Sequence, residues 1–137
     1  MKLLAGKTIF MLEDEPLNMA IIRTILIESG ARVLYAHWGE EVMERILRGG
    51  SRPDAILLDL YLPGKKQGHD VFAQIKEMPE FQDIPIVAIS AADPDVEIPR
   101  TKRMGYTSFI SKPISRHFPK QLASILEGEQ IWGDAFP

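Results

Sequence analysis

The chain has 137 residues, 45% of them hydrophobic and 26% charged, which suits one globular domain with a single hydrophobic core. The absence of cysteine excludes disulfide bonds and cysteine-based metal sites or nucleophiles. A net charge of −3 argues against nucleic acid as a direct partner. No apolar run is long enough for a signal peptide or a membrane span, so we expect a cytoplasmic protein that does not contact the membrane.

The apolar pattern alternates between short β-rich runs and longer stretches with helical spacing. It predicts strands at Thr8–Leu12, Arg32–Ala36, Ala55–Asp59, Ile84–Ser90 and Ser108–Ile110. It predicts helices at about Pro16–Ser29, Gly39–Arg48, Gly68–Glu77 and Pro119–Glu127. Strands that alternate with helices in this way indicate a parallel sheet with helices on both faces.

The segment between the last two strands departs from this regular pattern. Pro94 and Pro99 both lie where a connecting helix should begin. A proline in a helix interior costs about 3 kcal/mol, so we expect this helix to be short and to begin near Pro99. The basic cluster Pro99–Arg103 is then interpreted as a solvated or partner-docking helix face rather than a nucleic-acid patch.

We expect one domain, residues 1–127, followed by a short tail, residues 128–137, with no output domain. The tail is too short to form a second domain. Ile131, Trp132 and Phe136 are unusually apolar for a free tail. We therefore expect them to dock on the domain or on a partner.

Polar side chains lie at or just after the carboxyl ends of four predicted strands. They are Glu13, Asp14 and Glu15 after the first strand, Asp59 on the third, Ser90 on the fourth and Lys112 after the fifth. In a parallel sheet these ends share one edge, where ligands bind. Clustered carboxylates repel one another, and a hard cation such as Mg²⁺ would offset that repulsion. A carboxylate nucleophile, a metal, a lysine and a hydroxyl are the groups needed to form an aspartyl phosphate.

Each of these groups also has an ordinary structural explanation. The acidic run Glu13–Glu15 could stabilise the N-terminus of the first helix, and Ser90 with Asp93 could cap the fourth. Lys112 could be a surface lysine, and Asp59 could cap a loop. Their joint occurrence on successive strand ends favours the chemical interpretation.

Four segments resemble the response-regulator receiver domain of two-component systems, of the stand-alone, single-domain type. They are Ile9–Glu15, Asp54–Gly64, Val87–Ala91 and Phe109–Pro113. The resemblance covers about Lys7–Glu127. It implies a flavodoxin-like, doubly wound α/β fold with five parallel strands in the order 2-1-3-4-5, two helices on one face and three on the other.

The resemblance implies that Asp59 is the phosphoacceptor. Mg²⁺ would be bound by Asp14, by Glu13 directly or through water, by Asp59 and by the backbone carbonyl of Tyr61. Lys112 would pair with Asp59 or with its phosphate. The protein would be a switch that assists its own phosphorylation and dephosphorylation rather than an enzyme.

The resemblance also implies a conformational output. Ser90 would hydrogen-bond the phosphoryl group, and Phe109 would be the switch aromatic that turns inward as Ser90 moves. Pro113 would be the third switch residue, with the Lys112–Pro113 peptide bond cis. The partners would be a histidine kinase or phosphotransfer protein and a downstream protein target, and the receiver would be a monomer or a phosphorylation-linked dimer.

Three alternatives remain open at this point. The chain could be a phosphorylation-independent interaction module with the same fold, an interpretation that the proline-bearing fourth helix supports. It could be an enzyme, either an aspartyl-phosphate phosphatase or a flavin-binding protein. Tyr61 stands where that phosphatase needs a second acid, and acids follow the first strand where a flavin binder needs a phosphate-binding loop. It could also be a receiver cut from a hybrid kinase.

Further departures from the family pattern lie near the site. The loop after Asp59 carries Lys65 and Lys66 and is one residue longer than is usual in the family. We hypothesise that the large Tyr61 side chain limits water access and prolongs the life of the phosphoryl group.

The histidines His37, His69 and His117 share no metal-ligand spacing and are interpreted as surface or packing residues.

Overall fold

The computed structural model describes residues 2–48, 50, 52–62 and 66–133. Within them, five parallel strands form one sheet in the order β2-β1-β3-β4-β5. The strands are β1 (Thr8–Leu12), β2 (Arg32–Ala36), β3 (Ala55–Asp59), β4 (Ile86–Ser90) and β5 (Ser108–Ser111). The helices are α1 (Pro16–Glu28), α2 (Val42–Arg48), α3 (Gly68–Lys76), α4 (Pro94–Met104) and α5 (Phe118–Leu126). The predicted doubly wound α/β fold and its strand order are confirmed.

Both faces of the sheet are buried, because successive residues of a strand point to opposite sides. Ile9 and Met11 of β1 face the core that α1 and α5 cover, whereas Phe10 and Leu12 face the core that α2 and α3 cover. Ile98 of α4 packs against this second core as well. The arrangement of two helices on one face and three on the other is therefore as expected.

Two predicted boundaries shift by more than one residue, for local reasons. The fourth strand begins at Ile86 rather than Ile84. Pro85 has no N–H to donate, although its carbonyl oxygen accepts from Ile56 N at 2.9 Å. The predicted second helix opens with a tighter 3₁₀ turn, Gly39–Glu41, before the α-helix starts at Val42.

The prediction of a short fourth helix that begins near Pro99 is wrong. Helix α4 begins at Pro94, which occupies the first turn, and Asp93 caps it by accepting from Asp95 N at 2.9 Å. Pro99 lies inside the helix on its exposed side. There water can reach the backbone that loses its hydrogen bond, so the helix continues through the proline.

The chain beyond α5 packs on the domain, as the apolar residues of the tail suggested. Ile131 is buried, and Trp132 is half-buried against the core on the α2–α4 face. Phe136 lies outside the described residues, and the division of the chain at residue 127 stays a prediction. Among the helices that the structure describes, none has the length and apolar character needed to cross a membrane.

Candidate functional site

Three carboxylates converge at the carboxyl edge of the sheet. Strands β1 and β3 are neighbours with Leu12 beside Leu58, so Glu13 and Asp59 follow side by side. Glu13, Asp14 and Asp59 each offer a carboxylate oxygen within 4.8 Å of the others. Glu13 and Asp59 are buried and Asp14 is half-buried, so the cluster reaches solvent on the side of Asp14.

Lys112 provides the positive charge of this cluster. It follows β5, and its Nζ lies 2.8 Å from Oε1 of Glu13 and 3.1 Å from Oδ2 of Asp59. The backbone also fixes this lysine, because its N–H donates to the carbonyl oxygen of Ser90 at 2.9 Å. The Lys112–Pro113 peptide bond is cis, as the resemblance implies.

Burial and mutual repulsion set the protonation of these groups. Burial, together with the neighbouring Glu13 carboxylate, raises the pKa of Asp59 to about 7 despite the opposing charge of Lys112. Burial alone would also raise the pKa of Glu13, but the hydrogen bond and charge of Lys112 lower it below its ordinary value. Burial acts to lower the pKa of Lys112, yet the two carboxylates raise it, so this side chain stays charged.

The cluster fits a hard divalent cation. Three carboxylate oxygens lie close together, while the neighbouring ammonium of Lys112 carries one positive charge. Mg²⁺ prefers carboxylate oxygens and keeps several waters, which the half-buried Asp14 permits. Tyr61 lies beside the cluster, because its N–H donates to Oδ1 of Asp59 at 3.3 Å. The role of its backbone carbonyl as a metal ligand stays a prediction.

Two of the three predicted switch residues lie on the next strands of the sheet, and the third, Pro113, follows the cis peptide bond described above. Ser90 ends β4 beside β3, is buried, and its Oγ accepts from Ala92 N at 3.0 Å. Phe109 on β5 is fully buried and packs into the core on the α2–α4 face. The aromatic ring is therefore already turned inward in this structure.

The family is decided by comparison with known proteins. The family model for the response regulator receiver domain matches residues 9–124. The chain belongs to this family. A receiver domain is a phosphoacceptor switch domain of two-component signalling and not a classical enzyme.

Several relatives resemble this receiver over most of its length. The polar-differentiation response regulator DivK of Brucella anthropi is 33% identical over 109 residues, which are 80% of this chain and 86% of DivK. The phosphorylated cyanobacterial phytochrome response regulator RcpA superimposes with a TM-score of 0.71 at 32% identity, covering 90% of this chain and 91% of RcpA. The receiver domain of the sensor histidine kinase PA1611 from Pseudomonas aeruginosa superimposes with a TM-score of 0.75 at 26% identity, covering 91% of this chain and 100% of that domain.

Sequence reasoning missed one residue beside the receiver site, Glu97 on α4. It is 3% exposed and accepts a hydrogen bond from the hydroxyl of Tyr61. Its second oxygen lies 3.7 Å from Nε2 of His69, and Arg100 approaches the first oxygen at 3.8 Å. Because α4 was expected to begin near Pro99, the sequence pattern placed Glu97 before the helix and gave no signal of its burial.

His69 completes this second polar cluster. Its Nδ1 lies 2.9 Å from the hydroxyl of Tyr106, and burial lowers the pKa of the imidazole. The interpretation of His69 as a surface or packing residue was thus incomplete, because it lies in a polar cluster that joins α3 to α4. Through Tyr61 the same cluster reaches the loop that follows Asp59.

Proposed function

We propose that this receiver accepts a phosphoryl group from a phosphohistidine onto Asp59 and in response changes a surface that binds a target protein. The observation that carries the proposal is the contact of Lys112 Nζ with both Asp59 and Glu13 inside the acidic cluster. A lysine held between two buried carboxylates is poised to stabilise the charge of a phosphoryl group at this position.

Each residue of the cluster has its own role in the phosphoryl transfer. An oxygen of Asp59 forms a bond to phosphorus while the phosphorus–nitrogen bond of the donor breaks, and the imidazole leaves with the electron pair. Lys112 stabilises the phosphoryl oxygens, and Ser90 donates its hydroxyl to one of them. Glu13, Asp14, Asp59 and the carbonyl of Tyr61 would hold Mg²⁺, which supplies further positive charge when bound. The PA1611 receiver has been solved with magnesium in its active-site cleft, which supports this assignment.

The donor would dock on the face formed by α1 and the loop after β5. A cavity of about 300 Å³ opens there, lined by Asn18, Ile21, Ile22, Ala91, Lys112, Pro113 and Ile114. Leu17 and Ile21 of α1 are 65% and 44% exposed. Apolar side chains exposed next to the phosphoacceptor fit an α-helical phosphohistidine protein, either a histidine kinase or a phosphotransfer protein.

One pair of substitutions tests this docking face. Ile21→Asp should slow phosphoryl transfer from a phosphohistidine protein but leave phosphorylation by acetyl phosphate unchanged. Ile27→Asp is the matched control, because Ile27 is 43% exposed near the other end of the same helix. Equal rates of protein-dependent transfer in the two variants would contradict the proposed face.

The phosphorylation-independent module loses its main support. That alternative depended on a disrupted fourth helix, whereas Pro94–Met104 is one α-helix. The acidic cluster with its lysine is also the arrangement that the phosphorylation chemistry requires.

The proposal is tested by intact-mass analysis after incubation with acetyl phosphate, with and without Mg²⁺. We expect a labile phosphoryl adduct that requires Mg²⁺ and is absent from Asp59→Asn. A folded wild-type chain that forms no adduct in Mg²⁺, or an adduct that persists in Asp59→Asn, would overturn it.

A further inference from the structure

The segment Glu129–Gly133, here called the edge segment, runs beside the free edge of β5. Phe109 N donates to the carbonyl oxygen of Ile131 at 2.9 Å, and Gly133 N donates to the carbonyl oxygen of Phe109 at 2.8 Å. Ile131 N donates to Oγ of Ser108 at 3.0 Å. The pairing is parallel, with Trp132 opposite Phe109. The segment thus acts as a short sixth strand on an edge that would otherwise present unpaired backbone groups.

Its side chains alternate between the two faces of the sheet, as in a strand. Ile131 is 5% exposed and packs into the core beneath α1 and α5. Trp132 packs on the opposite side, against the core that includes Phe109, and its ring lies 5.0 Å from Nζ of Lys102 on α4. The edge segment therefore covers both the β5 edge and part of α4.

This short segment is held by few interactions. They are two backbone hydrogen bonds to β5, a third from Glu129 N to the carbonyl oxygen of Ser124 at 3.0 Å, the bond from Ile131 N to Ser108, two apolar side chains and the Lys102 ammonium over Trp132. Segments with so few buried contacts open locally at much lower free energy than the core strands. The surface beneath can therefore become available without unfolding the domain.

The edge segment is also connected to the phosphorylation site through β5. Its backbone partner is Phe109, which pairs with Ala88 of β4, while Lys112 N is bonded to Ser90 O. A movement of Ser90 and Lys112 towards a phosphoryl group would shift the end of β5. The edge segment pairs with the other edge of β5. Docking of the segment and phosphorylation of Asp59 would therefore both act on β5.

We propose that the edge segment occupies in cis the face through which this receiver binds an extended, aromatic-bearing peptide segment of its target. Phosphorylation of Asp59 releases the edge segment, a trigger that rests on the proposed function. The partner's chemistry is inferred from the occupant, because Ile-Trp-Gly already binds here as an added strand with its indole against α4. Coupling between two sites is reciprocal, so release of the edge segment also favours the phosphorylated state.

The first experiment follows Trp132 in the full chain. The chain has two tryptophans, so a Trp38→Phe background leaves Trp132 as the only one. Acrylamide quenching of its fluorescence is measured while intact mass quantifies the phosphoryl adduct in the same sample. We expect quenching to increase with the fraction of adduct and to stay constant in Asp59→Asn. Complete phosphorylation with unchanged quenching overturns the inference but leaves the proposed function intact.

The second experiment does not depend on phosphorylation. A fluorescently labelled peptide with the sequence of residues 128–133 is titrated into full-chain Trp132→Ala, with Trp38→Ala as the control. We expect the peptide to bind Trp132→Ala at least about tenfold more tightly than the control, because the weakened edge segment leaves the site free in a larger fraction of chains. Equal binding to both variants, or a variant that dimerises in light scattering instead of binding peptide, overturns the proposed peptide site.

The two experiments separate the proposals. If no adduct forms, the proposed function fails and the phosphorylation trigger fails with it. The peptide titration then decides alone whether the β5 edge and α4 form a site for an extended segment.

Discussion

Asp59 owes its chemical character to its position at the end of a strand that is buried on both faces. Burial removes the Asp59 carboxyl group from water and disfavours its charged form, and the adjacent Glu13 carboxylate repels that charge. Together these two effects outweigh the attraction of Lys112. The folded chain therefore resists ionisation of this carboxyl group. A bound cation favours the ionised form of this carboxyl group, which is the form that attacks phosphorus.

Asp59→Asn should make the domain more stable at pH 8 in the absence of Mg²⁺. The pKa of Asp59 is raised to about 7, so its ionised form weakens the fold as pH rises through that value. Each pKa unit is equivalent to about 1.4 kcal/mol, and we expect the free energy of unfolding to increase by about 1–3 kcal/mol. Urea denaturation measures it, with the exposed Asp83→Asn as the control. A less stable Asp59→Asn would contradict this account.

Tyr61 should control how long the phosphoryl group survives. Its side chain extends from beside Asp59 to Glu97 on α4, and we expect it to limit the approach of water from that side. We expect Tyr61→Asn to shorten the lifetime about tenfold, equivalent to about 1.4 kcal/mol of barrier, and Tyr61→Phe to have a smaller effect. Dephosphorylation followed by intact mass measures this, with Tyr35→Asn as the control. An unchanged rate in Tyr61→Asn would show that the side chain does not limit water.

At the scale of elements, α4 shows how a helix tolerates an interior proline. Asp93 caps its first turn, and Thr101 Oγ1 bonds the carbonyl oxygen of Glu97 at 2.8 Å on the buried side. Pro99 lies on the exposed side. The helix therefore keeps the register that buries Glu97 beneath Tyr61.

Pro99→Ala should stabilise the domain. Alanine restores an N–H that can donate to the carbonyl oxygen of Asp95. We expect the free energy gained from this hydrogen bond to exceed the entropic cost of a more flexible unfolded chain. We expect the free energy of unfolding to rise by about 1–2 kcal/mol, measured by urea denaturation. Pro79→Ala is the control, because Pro79 begins a 3₁₀ turn where its missing N–H costs little. A loss of stability in Pro99→Ala would mean that the proline stabilises α4.

Gly68 lets α3 begin directly against the end of β3. A Cβ at this position would collide with the backbone carbonyl oxygen of Asp59 and lie 2.9 Å from Cα of Leu60. We expect Gly68→Ala to lower the free energy of unfolding by about 1–3 kcal/mol and to weaken Mg²⁺ binding, because the phosphoacceptor must move. Denaturation and Mg²⁺ titration measure the two effects. The exposed Ala73→Ser on the same helix is the control, and equal behaviour of the two variants would contradict the close approach.

At the scale of the whole molecule, the sheet joins the acidic cluster to the edge segment. β1 and β3 hold the carboxylates, β4 ends in Ser90, and β5 carries both Lys112 after its end and the edge segment along its side. The coupling proposed above between the cluster and the edge segment would therefore involve only β4 and β5, which are neighbours in the sheet.

Mg²⁺ should stabilise the whole domain, because a cation that binds the folded state alone shifts the folding equilibrium. At about 100 times its dissociation constant the gain is about 2.7 kcal/mol. Thermal denaturation in MgCl₂ and in EDTA measures it, and Asp14→Asn should abolish most of the gain. A similar gain in wild type and Asp14→Asn would place the cation elsewhere.

The resemblance to receiver domains predicted the strand order. The residues themselves predicted the parallel α/β class and the carboxyl-edge cluster. Both follow from local patterns: five apolar runs specify buried parallel strands, and their ends must share one edge. It also identified Ile131 and Trp132 as residues that should dock, since apolar side chains leave water.

Tertiary structure decided what depends on neighbours distant in the sequence. The continuation of α4 through Pro99 depends on which side of the helix faces water, and the burial of Glu97 depends on that helix register. The sequence pattern likewise left open whether Trp132 would meet the domain or a partner. Its place beside Phe109 and Lys102 was decided by the free edge of β5, because only the assembled sheet shows which strand is left without a neighbour.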